Sequence, residues 1–363
     1  MVADIRQFVD PVDLRQFFDL RQASQLDRSK PCSTAAFDIT FAVTTLFAIC
    51  GLALDLRSHS VYGTDQTLFN TYHLLIYTAT VMVGWLLAYT GITNVLAGYR
   101  WSDALPVGYG WSLAGLIFFG LDSYLGSTFH AMWGFEAGLE ALSSPTHIGL
   151  FAGIFVFASG PIRAEIARQR RNVPMTFARL VPFVLAVVAT IGGVTPATFA
   201  DLPAIDSPWA LQTQRVSQGD LLAVLGVVIE TATMMGVLLW VLKRVRVPAG
   251  SITLIFVVFY LVTMITTGSP VFLPIWLIAG ILSDVAMVIL KPSSGVTWRF
   301  RAFGAVVPVV LWTVYYAFFM ITGLGGGVWI TGYVWTGSIV EAGIIGYMLA
   351  FAMTPAHTRS EER

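Results

Sequence analysis

The chain has 363 residues, 56% of them hydrophobic and only 12% charged, with mean hydropathy +0.73. Soluble domains carry about 25% charged residues, so this composition asks for lipid as its solvent. Twenty-one Lys and Arg against 21 Asp and Glu leave no net charge, which argues against nucleic acid as a partner. Two cysteines, Cys32 and Cys50, are too few for a disulfide framework.

Taken in chain order, residues 1–36 form an amphipathic N-terminal segment with no visible cleavable signal. The stretch IRQFVDPVDLRQFFDLRQ is expected on the cytoplasmic membrane surface, with Phe8, Phe17 and Phe18 toward lipid. A disordered tail is the alternative. A transmembrane helix needs about 20 mostly apolar residues. Ten segments meet or approach that, at 37–56, 72–98, 107–130, 146–162, 176–197, 220–242, 251–269, 272–290, 302–323 and 327–353. The fourth is the shortest. The expected fold is all-α, a polytopic helical membrane protein with about ten transmembrane helices in an inner (plasma) membrane. Placing both termini in the cytoplasm puts every Lys and Arg except Arg57 and Arg215 on the inner side, as the positive-inside rule requires. Residues 37–162 then hold two helix hairpins, 163–353 the rest of the bundle, and 354–363 a cytoplasmic tail with a solvated His357. The longest outer connection of the second half is 201–219.

The two hairpins resemble each other. Residues 55–73 read DLRSHSVYGTDQTLFNTYH, and 122–147 read DSYLGSTFHAMWGFEAGLEALSSPTH. With His130 aligned on His59, an aromatic follows three residues on (Tyr62, Trp133), a glycine four on (Gly63, Gly134) and an acid six on (Asp65, Glu136). A second histidine closes each copy, His73 and His147. Each is preceded by a helix N-cap residue type, Asn70 and Ser144, and Pro145 suits a first helical position. His59 and His130 are expected just past the outer ends of helices 1 and 3, with His73 and His147 in the first turns of helices 2 and 4. Helices 1–2 and 3–4 thus read as a parallel internal repeat opening toward the extracytoplasmic side.

Imidazole with carboxylate suits copper, iron and zinc. Asp55 and His59 share a helix face at i, i+4; the second copy has Gly126 at that place and Asp122 one turn deeper. The candidate metal ligands are His59, His73, His130, His147, Asp55, Asp122 and Glu136. Against this stands the plain alternative that an interfacial histidine is a hydrogen-bonded structural residue and that Asp65, Glu136 and Glu140 are loop acids. An acid within a span is expensive and points to function. Three more occur, Glu230, Asp284 and Glu341, as a proton relay or transport path, or as polar clamps between helices. No phosphate-binding glycine loop, HExxH or GxSxG stands in the chain.

At DLRSHSVYGTDQTLFNTYH and FHAMWGFEAGLEALSSPTHI the sequence resembles the metal motif of the C subunit of copper membrane monooxygenases, the methane and ammonia oxidisers. That motif runs Asp-x3-His-x12-His and closes on Pro-x-His. Asp55, His59 and His73 match its start and His130, Pro145 and His147 its close, over about 45 of 363 residues. The first copy lacks the proline, the second has Gly126 for the aspartate, and both histidine spacings are longer. The resemblance implies copper, with iron or zinc as other choices. The expected function is a metal-dependent, monooxygenase-like oxidoreductase acting on a small apolar substrate, with other membrane subunits or a homo-oligomer as partners. The alternatives are a transporter for a metal ion or small solute, or a metal chaperone or assembly factor.

Overall fold

A computed structural model describes residues 30–62, 69–134, 144–194, 219–267, 269–324, 328 and 330–354, without the side chains of residues 56, 59–62 (His59 among them), 219–222, 266, 267 and 294. The N-terminal segment through residue 29, Asp65, Glu136, Glu140, the 201–218 stretch and His357 lie outside the described residues. Eleven α-helices make up the described architecture, and no strand occurs among the described residues. They are α1 (Ala35–Tyr62), α2 (Thr71–Leu96), α3 (Gly110–Trp133), α4 (Pro145–Ala158), α5 (Gly160–Arg170), α6 (Phe177–Gly192), α7 (Gly219–Leu242), α8 (Ser251–Thr267), α9 (Leu273–Leu290), α10 (Thr297–Thr322) and α11 (Gly332–Met353).

Each of the ten expected apolar segments contains helix. Seven stretches are long and apolar enough to cross a membrane: Ala35–Asp55, Thr71–Leu96, Pro145–Arg170, Ala223–Leu242, Pro270–Leu290, Thr297–Thr322 and Gly332–Met353. Helices α6 and α8 are apolar but shorter. Helix α3 is long, but it carries Asp122, His130 and several serines and glycines among its apolar residues.

Two boundaries differ from expectation, each for a visible reason. His59 and His130 lie inside their helices, because polar residues alone do not break a helix: the first runs to Tyr62 and the second to Trp133. Gly134 ends α3 at φ +87, a conformation that favours glycine, and its N–H bonds His130 O at 2.9 Å. The fourth segment, expected to be the shortest, instead continues through α5 to Arg170. Pro161 breaks it after Ser159 by removing a backbone donor. The helix-forming run RAEIARQR then carries it on. Arg163 occupies the break, its Nη1 donating to Ser159 Oγ at 2.6 Å and its Nη2 to Val156 O and Ser112 Oγ at 3.0 Å.

Helices α1–α2 and α3–α4 are antiparallel hairpins, and the C-terminal end of α6 inserts between them. Adding a Cβ to Gly192 would bring it to 2.9 Å from Ile49, and to Gly193, 2.3 Å from Ile154. Helices α7–α11 complete the bundle. Its tightest crossing is α10 on α11, where a Cβ on Gly304 would lie 2.6 Å from Gly346 O, the small-residue packing expected where apolar area drives nothing. A continuous core runs from Ile49 to Ala350, and a second cluster around Phe37, Phe41 and Tyr109 closes the opposite end of the hairpins. The bundle is apolar outside as well: Val81, Trp85, Ile117, Val288, Ile289 and Met348 are all exposed. An interior and an exterior both apolar are what a lipid-embedded bundle requires.

Candidate functional site

The second helix of each hairpin starts with the same local chemistry. In the first, Asn70 caps α2: its Oδ1 accepts the His73 N–H at 2.6 Å, and its amide nitrogen lies 3.3 Å from His73 Nδ1. In the second, Ser144 caps α4: its Oγ accepts the His147 N–H at 3.2 Å and lies 2.7 Å from Nδ1. Both histidines are the third residue of their helices. An N-cap side chain normally satisfies one orphan amide. Here it also touches the ring at Nδ1, and in the first hairpin the Asn70 amide can only donate there, which leaves the proton of a neutral His73 on Nε2, facing Asp55. Ser144 Oγ can accept from both nitrogens while its proton goes to Thr146 Oγ1, 3.1 Å away. That arrangement makes His147 Nε2 the acceptor of the ring.

The facing arms supply different groups. Asp55, buried on α1, places Oδ2 3.3 Å from His73 Nε2. Its depth is set by Gly51 one turn below, where a Cβ would lie 3.0 Å from Ile76 Cγ1. In the second hairpin the acid and the glycine exchange turns. Gly126, level with Asp55 in the alignment, faces Thr146, where a Cβ would find ordinary contact at 3.7 Å. Asp122 takes the deeper place, 8% exposed, with its carboxyl seated on Gly149. Its Oδ2 is buried with no hydrogen-bond partner among the described residues. His130 stands beside His147, ring centroids 6.3 Å apart at 59°. Tyr77 and Phe151 flank His73 and His147, the two aromatics at equal offset.

Gly149 makes the Asp122 seat possible: a Cβ there would fall 2.5 Å from the carboxyl carbon. Gly149→Ala therefore overpacks the hairpin and costs about 1–3 kcal/mol. Asp122→Ala on the same background restores the loss. Thermal unfolding in detergent checks it, and an unchanged melting temperature for Gly149→Ala would mean the carboxyl is not held there.

The structure thus brings together His73 with Asp55, and His130 with His147. Among the described residues no three His, Cys, Asp or Glu side chains converge on one point. The His59 side chain and Glu136 lie outside the described residues.

The three deeper acids have separate fates. Asp284 caps α8 from α9: its Oδ2 accepts from Thr253 N at 2.8 Å and Thr253 Oγ1 at 2.5 Å, and its Oδ1 from Ile252 N at 3.3 Å. That is the polar-clamp arrangement. Glu230 is fully buried on α7, beside a Thr231 that accepts from Trp312 Nε1 at 2.8 Å. Glu341 is exposed on α11.

A polar cluster not anticipated from the sequence closes the other end of the hairpins. Arg168 Nη2 donates to Asp38 Oδ2 at 2.6 Å and to Ser33 O and Oγ at 2.7 Å. Tyr109 donates to Asp38 Oδ1 at 2.5 Å. Glu165 takes Arg168 at 3.4 Å and Arg179 at 3.7 Å. Asp38 and Glu165 are each 1% exposed. The signal was Asp38 itself, an acid within the first apolar segment, which the rule that flags Glu230 also flags.

Compared with known proteins, the chain matches no family model, no curated protein and no solved structure.

Proposed function

We propose that the chain is an integral membrane metalloprotein. In this reading it crosses the membrane ten times, with both termini cytoplasmic, and its twin hairpins hold a transition metal at the extracytoplasmic side. Copper is the first choice, with iron or zinc next. The observation that carries the reading is the Asp55–His73 pair. Two ligands bound at about 2.0–2.2 Å to one ion, at right-angled to tetrahedral angles, stand about 3.0–3.4 Å apart. His73 Nε2 and Asp55 Oδ2 are 3.3 Å apart. Two imidazoles on opposite sides of one ion have ring centroids about 6 Å apart, and His130 and His147 fit that reach.

The ligands would be His73 and Asp55 in one hairpin and His147 and His130 in the other, with His59, Asp122 and Glu136 completing the sets. Ser144 would act from behind by accepting from His147 Nδ1, whereas His73 would bind on moving its proton from Nε2 to Nδ1 and releasing the Asn70 amide. The donor set of imidazole and carboxylate leaves positions open for substrate. A bound copper or iron would supply redox chemistry, which makes a monooxygenase-like oxidoreductase acting on a small apolar substrate from the bilayer the favoured activity. The protein's own contribution is orientation of the rings, a buried carboxylate, and apolar walls from Tyr77 and Phe151.

Transport of a metal ion or small solute is the second reading, favoured by the fully buried Glu230. It is the weaker one: Asp284 is engaged in capping α8, and Glu341 lies on the exposed face of α11, so the three acids do not line one path. A chaperone or assembly factor would share the metal site without turnover.

Elemental mass spectrometry on protein purified from membranes tests the reading. We expect at least one copper, iron or zinc per chain, retained through dialysis against a weak chelator. A chain that holds none of the three, even after incubation with each, would end it.

A further inference from the structure

The caps beside His73 and His147 stand at one offset, three residues before each histidine, yet they are chemically unlike. A metal at Nε2 needs the lone pair of that nitrogen, so the neutral ring must carry its proton on Nδ1. The group facing Nδ1 then has to accept. Ser144 can do so. A hydroxyl donates or accepts as it rotates. Ser144 Oγ lies 2.7 Å from His147 Nδ1, and Thr146 Oγ1, at 3.1 Å, can take the hydroxyl proton.

Asn70 cannot. Its Oδ1 is taken by the His73 N–H at 2.6 Å, which leaves the amide nitrogen toward Nδ1 at 3.3 Å. An amide nitrogen only donates. Asp55 fixes the ring from the other side, with Oδ2 3.3 Å from Nε2. The proton of a neutral His73 therefore lies on Nε2, between ring and carboxylate, where the metal would bind. Moving it to Nδ1 sets N–H against N–H. Turning the amide over relieves that clash, but it takes the oxygen from the His73 N–H and uncaps α2.

We infer that the two caps tune the hairpins in opposite directions: Asn70 lowers metal affinity at His73, and Ser144 raises it at His147, each measured against the other's cap. This rests on the metal reading proposed above. Neither residue touches the metal; both are positioning residues that act through a ring. The expected size is that of an outer partner of a ligand, about 10–100-fold in Kd.

Exchanging the caps tests it. Asn70→Ser and Ser144→Asn are neutral changes between N-cap types of similar strength, so both helix starts are kept. Each is read on a background with one working hairpin, His147→Ala for the first and His73→Ala for the second. Copper(II) and zinc are titrated in turn against a competing chelator, with melting curves alongside. We expect Kd to fall about 10–100-fold with Asn70→Ser and to rise about 10–100-fold with Ser144→Asn, at an unchanged melting temperature. Asn70→Thr and Ser144→Ala serve where a swapped protein does not fold, and where one hairpin alone binds, its own swap decides. Values of Kd that stay put, or that move the same way in both hairpins, would overturn the inference and leave the metal reading standing. Binding of neither metal in either hairpin would remove the reading and this inference together.

Discussion

Arg168→Met destabilises the chain by about 3–5 kcal/mol, the range for breaking a buried ion pair from one side. The reason is what it leaves behind. Asp38 is 1% exposed and would keep only the Tyr109 hydroxyl. Glu165, equally buried, would keep the more distant Arg179 at 3.7 Å and a weak contact from Gln169. Ser33 would lose the guanidinium that holds the chain entering α1 against α5. Methionine fills much of the arginine stem, so loss of packing is not the main term. Asp38→Asn removes the charge while keeping an oxygen for Tyr109. The double variant Asp38→Asn/Arg168→Met should therefore be more stable than the sum of the single losses, by about 1–3 kcal/mol of coupling. Reversible unfolding in mixed micelles measures all three. A cost under about 1 kcal/mol for Arg168→Met would place the pair among solvated surface ion pairs and remove this cluster as the clasp between the hairpins.

That cluster shows where reading the sequence stops. Arg163, Arg168 and Arg179 were legible as charge: they belong to the set from which the orientation was expected. Their partners were not. Asp38 meets Arg168 across 130 positions, and no local periodicity reports such a distance. The helices were legible for the converse reason. A membrane span needs a run of apolar residues whatever it packs against, so the seven stretches long and apolar enough to cross could be seen without knowing their neighbours. The helix ends were less so: α1 and α3 run past their apolar cores into polar residues, because polarity alone does not break a helix, and α3 stops only at Gly134. In the hairpins, the caps Asn70 and Ser144 were legible as residue types at fixed offsets. Their second contact, with the ring of the histidine three residues on, was not, since a cap is ordinarily explained once it has taken a backbone amide. Gly51 opposite Asp122 was not read from the sequence, whereas the place of Gly126 where the first copy has Asp55, with Asp122 one turn deeper, was visible as a departure from the repeat. Its packing reason, the seat against Gly149, needed the facing helix.

In the proposed metal reading, Asp55→Asn lowers metal affinity by at least about 10–100-fold, the range already found when only an outer partner of a ligand is lost, and leaves the fold intact. Asparagine keeps the size of the side chain and a neutral hydrogen bond to His73 Nε2, but supplies no anion. The structure gives this substitution two distinct outcomes. If the 3.3 Å approach of Asp55 to His73 is the open jaw of a metal site, the loss appears in metal titration and hardly at all in the melting curve. If the pair is only a hydrogen bond between α1 and α2, the order reverses: metal uptake is unchanged, and stability falls by about 0.5–1.5 kcal/mol. Asn70→Ala separates the cap from the site. It costs about 1 kcal/mol of helix stability by itself and leaves both Asp55 and His73 in place. Asp122→Asn completes the set, because Oδ2 of Asp122 is buried without a hydrogen bond. A cation would give that oxygen a partner, whereas a protonated acid would lose nothing on becoming an amide. Titration of copper into wild type and the three variants, with melting curves run alongside, decides among these outcomes. Equal affinity across all four proteins would return the histidines to a structural role and leave the hairpins without a metal.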